Sequence, residues 1–98
     1  MRRREPVRVG EALDQFFRER PEILKKIAEA RLPEVWTQVV GPEIAKYTQR
    51  VSVERGGRMF VYVSSSVVRN EIFMRRAALK EELNRVLGQE VVAHLIVK

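Results

Sequence analysis

Residue types that carry out catalysis are sparse in this chain of 98 residues. There is one histidine, His94, and no cysteine, so a histidine–cysteine metal site and a thiol nucleophile are both excluded. The serines at 64–66 do not lie in a Gly-x-Ser-x-Gly turn, and their hydroxyls are better suited to capping a helix. The pair Gly56-Gly57 lacks the Gly-Lys-Ser/Thr of a phosphate-binding loop. We therefore predict a protein that is not an enzyme and holds no metal or cofactor.

Basic residues are more informative than catalytic ones. The chain has 19 Lys and Arg against 13 Asp and Glu, which gives a formal net charge of +6. A positive field attracts polyanions and favours nucleic-acid backbones, although the same charge also keeps a small domain in solution. The candidate phosphate contacts are Arg2, Arg3, Arg4, Arg55, Arg58, Arg69, Arg76 and Lys80, and the candidate base-stacking rings are Phe60, Tyr62 and Phe73.

One group of these residues has helical spacing. Arg69, Phe73, Arg76 and Lys80 follow one another at steps of four, three and four, which places them on one face of a helix. Cations on such a face can hold phosphates while the ring stacks on a base, so the pattern suits a single strand of nucleic acid. The alternative is a solvated helix face with one exposed phenylalanine.

The elements that position these side chains are predicted within residues 51–97. Two β-rich runs flank Gly56-Gly57, a pair typical of a hairpin turn. The apolar spacing after the second run predicts one helix of about six turns from residue 64 to Gly88. Residues 90–98 then predict a third strand. The result is an α+β fold in which helices cover one face of a small sheet.

The hairpin register decides whether the two sheet aromatics are exposed. If Val53 pairs with Met59, the loop has three or five residues, and Phe60 and Tyr62 face away from the core. We predict this odd-numbered loop. With a two-residue turn, the rings would instead pair with the strand-one valines and join the core, and the sequence leaves that alternative open.

Two helices are predicted ahead of the hairpin. The first covers residues 10–20 and ends at Pro21, which also suits the first turn of the second helix. Pro33 predicts a kink or break in this second helix, and Gly41 predicts its end. The residues to which we assign a structural role are Trp36, Gly41, Ile72, Leu79 and Leu83.

Trp36, the one tryptophan, lies among apolar residues and is predicted to be a packing anchor whose indole N–H needs an acceptor. Residues 1–9 are predicted to form a flexible basic arm, and residues 10–98 a single domain. No run approaches the roughly 18 apolar residues that cross a bilayer, and the N-terminus lacks the apolar centre of a signal peptide. We therefore predict a cytoplasmic protein without a membrane partner.

Three stretches of the chain together resemble the DciA family. They are residues 32–45 with the pattern Trp-x-x-Val-Val-Gly, the alternating run 59–63, and residues 64–72 followed later by Leu83-Asn84 and Gly88. The likeness covers nearly the whole chain and is greatest to the short form of the family, which has no long C-terminal tail. Two departures are visible: many members carry an aromatic residue where Val68 stands, and the Gly-x-x-Gly of KH domains is absent.

The resemblance implies a KH-like fold with the element order αα-ββαβ. It also implies a non-enzymatic bacterial replication factor that binds the replicative helicase and helps load it onto single-stranded or forked DNA. An older label for the family is RNA-binding protein containing a zinc ribbon. This chain cannot form a zinc ribbon, because it has no cysteine. Two alternatives stay open: a pure protein-interaction module and an RNA-binding domain of translation or ribosome assembly. The sequence predicts neither the helicase-binding surface nor the oligomeric state.

Overall fold

The structure, a computed structural model, describes residues 6–98. The predicted contacts Arg2, Arg3 and Arg4 therefore lie outside the described residues. The elements in chain order are α1 (Pro6–Arg18), α2 (Pro21–Val40), α3 (Pro42–Ala45), β1 (Thr48–Glu54), β2 (Arg58–Val63), α4 (Ser66–Met74), α5 (Arg76–Leu87) and β3 (His94–Val97). This is the α+β arrangement that the sequence predicts, with helices, a hairpin, further helices and a last strand.

The three strands form one sheet in the order β1-β2-β3. β1 and β2 are antiparallel, whereas β2 and β3 are parallel. Parallel neighbours need a crossover connection, and α4 with α5 supplies it. β3 is consequently an edge strand that lies beside the helices of its own crossover.

The hairpin has the predicted odd-numbered loop. Val53 pairs with Met59 and Glu54 with Arg58, which leaves the three residues 55–57 in the turn. Met59 is fully buried, while Phe60 and Tyr62 point to the opposite face and are half-buried. The two-residue alternative is therefore excluded, and the two rings are not part of the core.

The turn fits tightly against the start of β3. Gly57 has φ 73°, and a Cβ at this position would lie 2.8 Å from the carbonyl oxygen of Val91 and 3.0 Å from the amide nitrogen of Ala93. Its own carbonyl oxygen accepts hydrogen bonds from the amides of Ala93 (2.8 Å) and His94 (3.1 Å). Only glycine meets both the positive φ and the lack of space. Gly56 next to it has open space on its Cβ side.

α1 and α2 differ from prediction in two respects. α1 begins at Pro6, four residues earlier than predicted, and so includes part of the predicted arm. α2 continues through Pro33, so of the predicted kink or break the break does not occur. Pro33 is exposed, while Leu32 and Trp36 on either side of it are buried, so core packing along α2 outweighs the local cost of about 3 kcal/mol for an interior proline.

The prediction of one long helix after the hairpin is wrong. The segment divides into α4 and α5 at Arg75, whose φ of −106° and ψ of 14° interrupt the helix. No proline or glycine marks this position. The break allows Ile72 on α4 and Leu83 on α5 each to reach the core, where they are 3% and 0% exposed. Ser65 begins α4 as a predicted serine cap, since its hydroxyl accepts a hydrogen bond from Val68 N at 3.3 Å.

The core lies between α2, the helices α4 and α5, and the inner face of the sheet. Trp36 is 1% exposed and its Nε1 donates to Thr48 Oγ1 at 2.9 Å, as predicted for an anchor with a satisfied indole N–H. Leu79 packs at the margin of this core. Gly41 ends α2 by donating its amide hydrogen to Thr37 O at 2.9 Å.

β3 is shorter than predicted because a buried side chain shapes the segment before it. Asn84 on α5 accepts hydrogen bonds at Oδ1 from the amides of Val91 (2.9 Å) and Val92 (2.8 Å). Its Nδ2 donates to the carbonyl of Val92 at 2.9 Å. These three bonds tie residues 91–92 to α5, a bend follows at Ala93, and pairing with β2 begins only at His94.

Candidate nucleic-acid interface

A groove of about 420 Å³ runs between the crossover helices and the free edge of β3. One wall carries Phe73, Arg76, Ala77 and Lys80 from α4 and α5, and the other wall is residues 93–97. Three members of the predicted basic stripe, Phe73, Arg76 and Lys80, thus line a single concave surface.

The strand wall offers backbone as well as side-chain groups. The amides of His94 and Lys98 donate toward β2, to Gly57 O and Val61 O. The N–H and C=O groups of successive strand residues alternate between the two edges, so those of Leu95 and Val97 point toward the groove. Among the described residues no strand pairs with this edge. These backbone groups can therefore accept or donate hydrogen bonds to a ligand.

The helix wall holds its aromatic ring and its arginine together. The guanidinium carbon of Arg76 lies 4.0 Å from the centroid of the Phe73 ring, and Nη1 of Arg76 donates to Phe73 O at 2.8 Å. Phe73 is nevertheless 50% exposed. A ring held in this way beside a cation can present a stacking face to a base and a charge to the adjacent phosphate.

The groove is positive because no carboxylate lines it. Arg76 and Lys80 contribute two cations, and the remaining lining side chains are apolar apart from the exposed His94. Three other surface clefts each include a glutamate: Glu29 in one, Glu22, Glu29 and Glu54 in another, and Glu71 in the third. The charge of the groove therefore favours an anion over a cation.

Two nearby arginines, one at the α4–α5 break and one on α5, are paired with carboxylates. Arg75 pairs with Glu71 at 2.8 Å, and Arg85 is hydrogen-bonded to Glu82. That hydrogen bond lowers the pKa of the Glu82 carboxyl below its usual range. The ion pairs described within residues 6–98 include neither Arg76 nor Lys80.

Arg69 is set apart from the other members of the predicted stripe. Its Nη2 donates to the carbonyl of Val63 at 3.0 Å, its Nε is buried, and its side chain is not part of the groove lining. Arg69 thus connects α4 to the end of β2. Its predicted contact with nucleic acid stays a prediction.

The hairpin residues lie on a different surface from the groove. Arg55 is exposed in the turn. Arg58 pairs with Glu54 at 3.5 Å and lies over Phe60, with its guanidinium carbon 6.0 Å from the ring centroid. Phe60 and Tyr62 share the sheet face that points away from the helices. The sequence-predicted contacts are therefore distributed between the groove and this outer face.

Sequence reasoning missed the contribution of β3 to the site. Ala93, Leu95 and Val97 were predicted only as inward-facing strand residues and were not selected for the site that they line. Nothing local marks an edge strand, because strand order depends on long-range pairing. Strand alternation did predict that His94 and Ile96 share the face of Phe60 and Tyr62, and the β2–β3 register agrees with this.

A second exposed surface lies at the other end of the chain. α1 packs against α2, and the pair leaves four large apolar side chains substantially exposed, namely Leu13, Phe16, Leu24 and Ile27, at 53%, 41%, 38% and 45%. We call this set the α1–α2 ridge. Large apolar side chains exposed near one another are candidates for contact with a partner protein.

Residues 6–98 contain no group of three or more His, Cys, Asp or Glu side chains that could hold a metal ion. None of the helices described there is long and apolar enough to cross a membrane.

Comparison with protein families identifies the chain. Residues 8–97 match the family model described as Dna[CI] antecedent, DciA. The chain belongs to the DciA family. This family is associated with loading of the replicative helicase in DNA replication, and it is not a known catalytic family. The DciA match spans both the groove and the α1–α2 ridge, whereas no curated protein matches the chain.

Proposed function

We propose that this DciA-family chain is a non-enzymatic adaptor that binds single-stranded or forked DNA through the β3 groove while it helps load the replicative helicase. The helicase link rests on the family. The DNA contact is supported by one observation above all: the groove combines two cations, an exposed ring and a free strand edge with no lining carboxylate. These are the features of a site that holds a phosphate backbone and stacks a base.

Roles follow for the individual groove residues. Arg76 and Lys80 contact phosphates, and Phe73 stacks on a base. Arg55 at the hairpin tip and the basic residues Arg2, Arg3 and Arg4 add further phosphate contacts outside the groove. None of these roles needs a proton transfer or a bound cofactor, so the activity is binding alone.

Charge reversal in the groove tests this proposal. We expect Arg76→Glu with Lys80→Glu to weaken binding of single-stranded DNA by about 100-fold or more, because two charge-assisted contacts are lost and repulsion replaces them. Fluorescence anisotropy of a labelled oligonucleotide measures the change. Circular dichroism checks that the variant is folded, which is expected since both side chains lie on the surface of the groove.

The matched control changes the same charge at the α4–α5 break and on α5. In Arg75→Glu with Arg85→Glu, both cations lie outside the groove and already pair with glutamates. We expect only a small loss, caused by the lower net charge of the protein. Equal losses in the two variants would mean that charge alone, and not the groove, determines binding.

A second candidate function is favoured by the α1–α2 ridge. Its exposed apolar residues fit a protein-interaction module that contacts the helicase without touching DNA. In that case Leu13→Ser with Ile27→Ser would weaken the helicase complex, and charge reversal in the groove would leave all activity unchanged.

A further inference from the structure

The outer face of the sheet carries two aromatic rings, each covered by a cation. The guanidinium carbon of Arg50 lies 4.7 Å from the centroid of Tyr62. Lys98 Nζ lies 5.7 Å from the centroid of Phe60, on which the Arg58 guanidinium also lies. The two rings stand two residues apart on β2 and are half-buried, so each is held firmly while part of it reaches solvent.

This outer face is continuous with the groove. Ile96 pairs with Phe60 in the β2–β3 register, and His94 pairs with Arg58. Both Ile96 and His94 also line the groove. The edge strand β3 is therefore shared by two surfaces, and no other element separates them.

The charge of the outer face suits the same ligand as the groove. The outer face carries three cations, namely Arg50, Arg58 and Lys98. The negative charge near them is that of Glu54, which already pairs with Arg58. Two cations thus remain without a carboxylate on this face among the described ion pairs. Aromatic rings beside cations that have no carboxylate partner favour single-stranded over duplex DNA. The bases of a duplex are stacked on each other and cannot stack on a side chain.

We propose that a single strand of DNA occupies both surfaces, passing from the groove over β3 at His94 and Ile96 onto Phe60 and Tyr62. This inference rests on the proposed function and extends it to a second surface. Base stacking on a ring is stronger than an exposed cation–π contact. A base therefore replaces the cation on each ring, and Lys98 and Arg50 turn to the neighbouring phosphates.

Dependence on oligonucleotide length tests the path. Thymidine oligonucleotides of about four and about twelve nucleotides are titrated by anisotropy, since single-strand sites span about that range. In Phe60→Leu with Tyr62→Leu we expect the longer oligonucleotide to lose at least about tenfold in affinity, because two stacking contacts are removed. The shorter one, held in the groove, keeps its affinity. Tyr47→Leu is the matched control, an exposed ring under Lys46 away from both surfaces, and leaves both affinities unchanged.

A second variant avoids any change to the half-buried rings. Arg50→Ser with Lys98→Ser removes two exposed cations, so the salt dependence of the longer oligonucleotide falls by about 1.4 in the slope of log K against log salt. The slope for the shorter oligonucleotide does not change. Arg18→Ser with Arg31→Ser removes the same charge from α1 and α2 and leaves both slopes as they were.

The outcomes separate this inference from the function on which it rests. Unchanged affinity and slope for the longer oligonucleotide in both sheet variants would overturn the second surface and leave the groove standing. Equal losses for both lengths would overturn the path from groove to sheet. Failure of the unmodified protein to bind either oligonucleotide would remove the proposed function itself.

Discussion

Replacing Asn84 by leucine is expected to lower the free energy of unfolding by about 4 kcal/mol, because the amide and the carbonyl of Val92 lose their partner at about 1 to 3 kcal/mol each. Both groups of Val92 bond to this one side chain, whereas the amide of Val91 also donates to the carbonyl of Gln89 at 3.0 Å and keeps that bond. Leucine has a similar size, so the loss reports hydrogen bonding more than packing. Urea denaturation followed by circular dichroism measures the change.

The matched control for this prediction is Asn70→Leu on α4. Asn70 is exposed, and its amide contacts only the sulfur of Met74, at 3.6 Å. We expect a change within about 0.5 kcal/mol, as for most surface substitutions. A loss at Asn84 as small as that at Asn70 would contradict the role assigned to Asn84 in shaping the bend before β3.

Truncation of Trp36 to alanine is expected to cost about 3 to 5 kcal/mol, because it leaves a large cavity between α2 and the sheet. Trp36→Phe separates the two contributions of this residue. Phenylalanine keeps most of the packing but not the hydrogen bond to Thr48, so its cost should be smaller than that of alanine. Thermal and urea denaturation measure both variants. A loss below about 1 kcal/mol for the alanine variant would contradict the anchor role.

Side-chain alternation and turn chemistry predicted the hairpin correctly. The odd-numbered loop followed from placing Met59 and Val61 on the same face as Val53, and that argument needs only the two-residue period of a strand. Trp36 was identified because a lone tryptophan among apolar residues is most stable when buried. Local sequence was sufficient in these cases because the deciding forces act between near neighbours.

The failures have a common physical cause. Pro33 and Arg75 were judged on local preference, but long-range packing decided both: α2 stays intact through proline, and the later helix breaks without one. The length of β3 depends on Asn84 and Gly57, which act from other parts of the chain. Local helix and strand propensities do not include these long-range contacts and therefore could not predict them.

The candidate site was predicted in part for a related reason. Helical spacing brought Phe73, Arg76 and Lys80 together, and the structure places all three in the groove. Arg69 shared their spacing, but its guanidinium donates to the carbonyl of Val63 and its side chain does not line the groove. The opposite wall came from β3, whose position at the edge of the sheet no local pattern reveals.

The most direct test of the central claim is the binding of unmodified protein to matched single-stranded DNA, duplex DNA and RNA at two salt concentrations, with and without the replicative helicase. We expect salt-sensitive binding that favours single-stranded over duplex DNA and that the helicase strengthens or redirects. Preference for RNA through its 2′-hydroxyls would instead favour an RNA-binding domain. A stable helicase complex without binding to any nucleic acid would contradict the groove as a DNA site and leave a protein adaptor.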